Sequence, residues 1–313
     1  MKNRYALGID IGGTNTVFGV VDELGNMLFE GTTPTKTHID PRSLVDYIFN
    51  QVKDLNCYSE IIGIGIGAPN GNYYTGNIEF APNLHWKGIV HLAKFFTDKF
   101  NLKTIVTNDA NAAALGEMLF GSAIGLSNFV TITLGTGLGS GIVTNGKILY
   151  GEDGLAGEYG HIRVVDNGRL CGCGRKGCLE TYVSATGVVR SISELNSEKK
   201  KDSKLLKIAN PTSKDVVELA HSGDEFAVEI INFTARVLGN ALADFLCFSN
   251  PKAYILFGGC AHAGESFAGK VKQHMEEATL KIYQNKVEVR ISSLQERNAA
   301  VLGTAAIVLD ENK

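Results

Sequence analysis

Three of the six cysteines in this 313-residue chain fall in one stretch, Cys171–Gly172–Cys173–Gly174–Arg175–Lys176–Gly177–Cys178, with His161 a short way upstream. Three thiols and an imidazole on glycine-rich backbone make a complete tetrahedral ligand set for zinc. Four protein ligands leave no open position for water or substrate, so the zinc expected on His161, Cys171, Cys173 and Cys178 is structural. Cysteines two residues apart are poorly placed to pair with each other, which argues against a disulfide. Glu158–Tyr159–Gly160–His161 leads into this knot and Leu179–Glu180–Thr181 leaves it. A metal there would hold the carboxylates of Glu158 and Glu180 near each other and brace a small polar binding site. Cys57, Cys247 and Cys260 are scattered and read as ordinary thiols.

Two glycine loops offer a second kind of chemistry. Asp10–Ile11–Gly12–Gly13–Thr14–Asn15 ends one expected strand, and Gly135–Thr136–Gly137–Leu138–Gly139–Ser140–Gly141 ends another. Glycine backbone at a strand end can aim several N–H groups at one point, an anion cradle that phosphate can approach closely. Two matched loops would clamp a polyphosphate. Neither has the Gly-x4-Gly-Lys-Ser/Thr spacing of a P-loop, and neither opens a helix as a dinucleotide site does. Asp10 could meet a hydrated Mg²⁺ carried by a nucleotide, or simply stabilise the turn. In Thr107–Asn108–Asp109–Ala110–Asn111 a strand gives way to a helix. Asn108 or Asp109 is placed to cap that helix. The helix N-terminus favours an ionised carboxylate, so Asp109 is expected to serve as a base at neutral pH.

The elements that must position these residues alternate. Tyr5–Asp10, Thr16–Val21 and Met27–Glu30 read as strands around the first loop. Phe129–Leu134, Ile142–Thr144 and Lys147–Tyr150 repeat the device around the second. A supersecondary unit used twice implies duplicated domains with a cleft between them. Helical spacing is expected over Pro41–Leu55, Ile89–Phe100, Asn111–Phe120, Asp224–Cys247, Glu265–Lys281 and Asn298–Leu309. Buried strands are expected at Ile61–Gly67 and Ala253–Phe257 (ending in Gly258–Gly259), and further strands at Thr104–Thr107 and Val287–Ile291. This alternation is α/β. Thr212–Ser213 caps a further helix, and the lysine-rich run Glu194–Lys207 reads as a solvated helix or loop. The length fits two domains, with boundaries at 1–118 plus 299–313 and at 119–298.

Bulk properties narrow the class. A hydrophobic content of 44% and a charged content of 20% support a substantial core. A net charge of −3 argues against a general nucleic-acid grip. No apolar run reaches the length of a membrane span. The chain opens Met1–Lys2–Asn3–Arg4 and enters a strand at once, so a soluble cytoplasmic protein is expected.

Taken in order, Asp10–Asn15, Asn108–Ala113, Leu134–Gly141, Glu158–His161 and Cys171–Glu180 resemble the ROK family (repressors, open reading frames, kinases), and within it the bacterial glucokinases. The resemblance covers essentially the whole chain. It implies the actin-like ATPase fold of hexokinases and Hsp70, and ATP-dependent phosphorylation of a hexose at its 6-hydroxyl, with glucose first. N-acetylglucosamine, N-acetylmannosamine, mannose and allose are the alternatives. Under the resemblance Asp109 takes the 6-hydroxyl proton, and Asn83, Asn108, Glu158, His161 and Glu180 bind the sugar. Cys171, Cys173 and Cys178 match its zinc ligands. Gly12, Gly13 and Thr14, with Thr136 and Gly137, match its phosphate loops, which Asn15 and Gly135 border. Gly258 and Gly259 fall where the family lines the adenosine pocket. ATP, Mg²⁺ and structural zinc are the implied cofactors, and a homodimer the implied assembly. A sugar-sensing repressor of the family would carry a helix-turn-helix before the first loop, where only the residues before Asp10 stand. A zinc-ribbon module that grips nucleic acid is opposed by the acidic balance. One departure stands out: where family glucokinases often carry Pro-Gly and an apolar residue, this chain has Pro69–Asn70–Gly71. That bears on which hexose is accepted.

Overall fold

The computed structural model describes residues 4–196, 202–294 and 299–311. Asn298, the expected start of the terminal helix, and residues 197–201 of the lysine-rich run lie outside them. The chain divides into two compact units, one of residues 1–125, 148–156 and 293–313, the other of residues 126–147 and 157–292.

The first unit contains β1 (Tyr5–Ile11), β2 (Asn15–Asp22), β3 (Met27–Pro34), α1 (Pro41–Val52), β4 (Ile61–Gly67), a two-stranded ribbon of β5 (Ile78–Glu79) and β6 (Ile89–Val90), α2 (Leu92–Phe100), β7 (Thr104–Thr107) and α3 (Asp109–Phe120). Its sheet runs β3-β2-β1-β4-β7. The hairpin strands β1, β2 and β3 are antiparallel, while β4 and β7 join β1 in parallel. Parallel pairing demands crossovers, and α1 and α2 supply them. Asp40 caps α1 by accepting from the Arg42 N–H, and Pro41 stands at the first helical position, where its missing N–H costs nothing. Leu7, Ile9, Phe18, Ile48 and Phe96 lie in one buried cluster.

The second unit contains β8 (Phe129–Leu134), β9 (Leu138–Thr144), β10 (Lys147–Ile148, whose last residue falls in the first unit), α4 (Glu180–Val183), α5 (Ala185–Asn196), α6 (Ser213–His221), α7 (Glu225–Ser249), β11 (Ala253–Phe257), α8 (Gly264–Ala278) and β12 (Glu288–Ile291). Its sheet runs β10-β9-β8-β11-β12. That is the order of the first sheet again, with the same antiparallel hairpin and parallel additions. Thr212 and Asp215 form a reciprocal capping box on α6. Helix α7 is long and apolar enough to cross a membrane by length and composition, although no such run stands out in the sequence. Its apolar residues are explained by packing: Phe226, Ile230, Leu238, Leu242 and Phe245 sit in the core of this unit.

The last helix, α9 (Ala299–Glu311), returns to the first unit and lies on β1, β4 and α3. Glycines inside the strands make that approach feasible. A Cβ at Gly65 would overlap the Thr304 carbonyl, and one at Gly8 the Val301 carbonyl. These glycines lie mid-strand. Two further boundaries differ from expectation. β9 begins at Leu138, which shortens the second glycine loop to residues 135–137. Residues 89–90 form a strand before α2, because they pair with β5.

Candidate active site

In the first unit the β1–β2 hairpin closes at the Ile11–Thr16 pair. Its turn is held from within by the Gly12 N–H on the Asn15 carbonyl (2.9 Å). From outside, the Thr35 hydroxyl donates to the Gly12 carbonyl (2.7 Å) and the Thr35 N–H to the Thr14 carbonyl (2.9 Å). Thr14 and Asn15 remain exposed. Gly13 faces the Asn83 segment: a Cβ there would come within 2.5 Å of the Asn83 carbonyl oxygen. The structure therefore brings the first glycine loop and Asn83 side by side, and a small residue at Gly13 is what permits it.

Asn108 is the N-cap of α3, its side-chain oxygen accepting from the Asn111 N–H (2.7 Å). Asp109 is the first helical residue, and its carboxylate accepts from the Ala110 N–H (2.9 Å). It keeps an open face to solvent. Burial of the remainder raises its pKa above the usual carboxylate range, against the lowering effect of that N–H. So burial outweighs the helix N-terminus, which by itself favours the ionised form. Asp10, at the end of β1, is raised to about 7 by burial first and then by the charge of Asp109. A buried carboxyl facing a second carboxylate does not ionise easily without a cation nearby.

The departure after β4 also resolves. Asn70 takes φ +52°, the left-handed region where glycine is most at home and asparagine is among the best tolerated substitutes. Its amide donates to the Glu79 carbonyl (3.0 Å). Gly71 backs onto the strand that leads to Asn108; a Cβ there would overlap the Thr107 carbonyl.

In the second unit the knot is assembled. Ligand atoms of His161, Cys171, Cys173 and Cys178 all lie within 4.8 Å of one another. Cys173 Sγ is 3.8 Å from Cys178 Sγ, and Cys171 Sγ is 3.6 Å from His161 Nδ1. A tetrahedral zinc with bonds of about 2.3 Å to sulfur and 2.0–2.1 Å to nitrogen has sulfur–sulfur edges of about 3.8 Å and sulfur–nitrogen edges of about 3.6 Å. The residues present fit such an ion. Nδ1 faces the thiols, while Nε2 faces Glu158 Oε2 at 3.9 Å. Burial, and then the contact with Glu180, push the Cys171 thiol up, a cost that metal coordination reverses. Cys57 is half-buried and Cys247 exposed, both free thiols; the side chain of Cys260 lies outside the described part.

Glu180 joins the knot to the second glycine loop, a link with no signal in the sequence. Its Oε1 lies 3.0 Å from Cys171 Sγ, and its Oε2 accepts from the Leu138 N–H (3.3 Å). The loop is also tied from behind by the start of α5. The Ala185 N–H donates to the Gly135 carbonyl and the Thr186 hydroxyl to the Thr136 carbonyl, both at 2.9 Å. In a planar trans peptide the N–H points opposite to the C=O. Tying carbonyls 135 and 136 back to α5 therefore turns the N–H groups of Thr136 and Gly137 away from it, and Gly135 and Thr136 are exposed. Exposed N–H groups turned to one side are what an anion cradle would need. Beyond β11, Gly258 takes φ +98° against the Leu134 carbonyl. Gly259 lines a cavity of about 560 Å³ with Ser213, Val217, His221 and His262. This is within the size range of small-molecule pockets.

The ROK family profile matches residues 6–311. The chain belongs to the ROK family. A glucokinase of Halalkalibacterium halodurans is 37% identical over 318 residues, covering 98% of this chain and 96% of the relative. The crystal structure of a ROK family glucokinase from Streptomyces griseus, in complex with glucose and AMPPNP, superposes with a TM-score of 0.80 at 33% identity, covering 97% of this chain and 98% of that one. A xylose repressor of Bacillus spizizenii is 30% identical and is matched over 78% of its length by 99% of this chain. The repeated sheet order is that of the actin-like ATPase fold of ROK sugar kinases.

Proposed function

We propose that this protein is an ATP-dependent hexose kinase that forms glucose 6-phosphate from D-glucose. The observation that carries the reading is Asp109. It is an open carboxylate at the first turn of α3, with its pKa shifted toward neutrality, in a chain whose ROK relatives include glucokinases. In the proposed reaction Asp109 accepts the proton of the sugar 6-hydroxyl. That oxygen forms a bond to the γ-phosphorus, the bond from phosphorus to the bridging oxygen breaks, and ADP leaves with the electron pair. Positioning of both reactants supplies most of the rate.

Asn83, Asn108, Asp109, Glu158, His161 and Glu180 are assigned to the sugar. His161 serves twice, Nδ1 toward the metal and Nε2 toward the sugar side. The phosphates are assigned to Gly12, Gly13, Thr14 and Asn15 and to Gly135, Thr136 and Gly137. The cavity beside Gly258 and Gly259 is assigned to adenosine. Asp10 would hold a hydrated Mg²⁺, which supplies charge neutralisation to the phosphates and would return Asp10 to its ionised form. Zinc on His161, Cys171, Cys173 and Cys178 would brace Glu158 and Glu180, the carboxylates assigned to the sugar. A homodimer in the cytoplasm, with neither nucleic acid nor membrane as partner, completes the proposal.

The test is ADP release with MgATP against glucose, N-acetylglucosamine, N-acetylmannosamine, mannose, fructose and allose. Preferred turnover of glucose is the expected result. No turnover on any hexose by zinc-loaded protein would overturn the reading and turn attention to the repressor relatives.

A further inference from the structure

We propose that Arg169 is a positioning residue for the phosphate-binding loop at 135–137, an inference that rests on the kinase reading above. Arg169 sits two residues before Cys171, and its side chain is buried, with 4% exposure. Each of its three guanidinium nitrogens has an acceptor. Nη1 meets the carbonyls of Thr181 (2.6 Å) and Gly187 (3.0 Å). Nη2 meets Ser191 Oγ (2.8 Å) and Glu194 Oε2 (2.8 Å), and Nε meets the same carboxylate oxygen (2.9 Å). The guanidinium lies over the Tyr182 ring, 4.4 Å from its centroid. The backbone of Arg169 is engaged as well. Its N–H donates to the Tyr182 hydroxyl (2.9 Å), and its carbonyl accepts from the Gly177 N–H (2.8 Å) inside the knot.

The placement of the two carbonyls is what gives this network a function. Thr181 and Gly187 flank the junction between α4 and α5. The junction's own Ala185 N–H and Thr186 hydroxyl are the groups that hold the Gly135 and Thr136 carbonyls. One planar, always-charged fork thus fixes both sides of the segment that aims the loop's N–H groups. The knot has independent supports. Arg163 bridges to Cys178 and Leu170 to Lys176, and the Leu179 N–H reaches the Ile162 carbonyl (2.9 Å). Loss of the Arg169 side chain therefore falls on the loop more than on the sugar ligands at the knot.

The experiment uses the full-length, zinc-loaded protein. The dissociation constant of AMPPNP is measured by calorimetry, with KM for ATP and for glucose from ADP release. In R169M the AMPPNP constant and the ATP KM rise roughly tenfold or more, as expected when a buried charge-assisted network is left unmade. The glucose KM moves less than about threefold. R169K, which keeps the charge and part of the donor set, recovers part of the loss. T186V removes the hydroxyl that holds the Thr136 carbonyl and shifts the ATP constants in the same direction; it decides the matter if R169M does not fold. Unchanged ATP constants in folded R169M or T186V, or equal rises in both KM values, overturn the inference and leave Arg169 a stabilising residue only. A wild-type protein that neither binds AMPPNP nor releases ADP with any hexose overturns the kinase reading itself, which separates the two failures.

Discussion

At the scale of single residues the site is governed by two carboxyls pushed in the same direction. Asp109→Ala removes the proposed base, and kcat is expected to fall by about 10²–10⁴. Glucose binding by calorimetry should stay within a few-fold of wild type. Turnover retained at the wild-type level would refute the assignment. The activity of the wild type should fall on the acid side at a pH above the ordinary carboxylate range, because burial holds the Asp109 proton on longer. Asp10 makes a prediction about stability. Its pKa is raised from 3.8 to about 7 in the folded protein, so the native state binds the extra proton between those values. Stability from this group is full below about pH 4 and is lost as pH rises through about 7. Asp10→Asn removes that loss. In metal-free protein it should raise Tm at pH 8, and the gain should vanish near pH 4 even though phosphoryl transfer is impaired. A Tm difference that does not change with pH would contradict the assignment.

At the scale of elements, glycines and the knot decide what can touch what. Gly65→Ala drives a Cβ into the Thr304 carbonyl and must lift α9 from β4. A loss of roughly 1–3 kcal/mol is expected from denaturant titration, the range for overpacking a close-packed core. The knot should behave as a metal-dependent element. Cys173→Ser removes one of four ligands, so bound zinc measured by mass spectrometry should fall. Tm should fall with it by roughly 5 °C or more. Full zinc content with an unchanged Tm would mean that the cysteines do not brace this part of the chain.

At the scale of the whole molecule, the two units share one strand order, and residues assigned above to the reaction fall in each. The first carries Asp10, Asn83, Asn108 and Asp109, and the second the knot, Glu158, Glu180 and the loop at 135–137. A hexose bound only by the native state should stabilise it by mass action, about 2.7 kcal/mol at a hundred times its dissociation constant. Thermal melts across the sugar panel should therefore rank the sugars as turnover does. A sugar that is turned over well but leaves Tm unchanged at saturation would contradict native-state binding in this form.

Much of this was written locally in the chain. The duplicated hairpins, a cap at Asn108 or Asp109, the His/Cys cluster and the two glycine loops follow from residue type and short spacing, because turns, caps and chelating clusters are made by neighbours in sequence. So did the family resemblance that the full-length match bears out. What folding decided is everything that depends on burial or on distant partners. The upward shift of the Asp109 pKa comes from the protein packed around the carboxyl, which a helix terminus alone does not supply. The short reach of the second loop follows from pairing of Leu138 with Leu134. The roles of Gly8 and Gly65 depend on a helix that arrives more than two hundred residues later. Arg169 looks like one more surface charge until α4 and α5 close around it. Side chains advertise their chemistry in sequence, but desolvation and hydrogen-bond geometry exist only once the chain has come together.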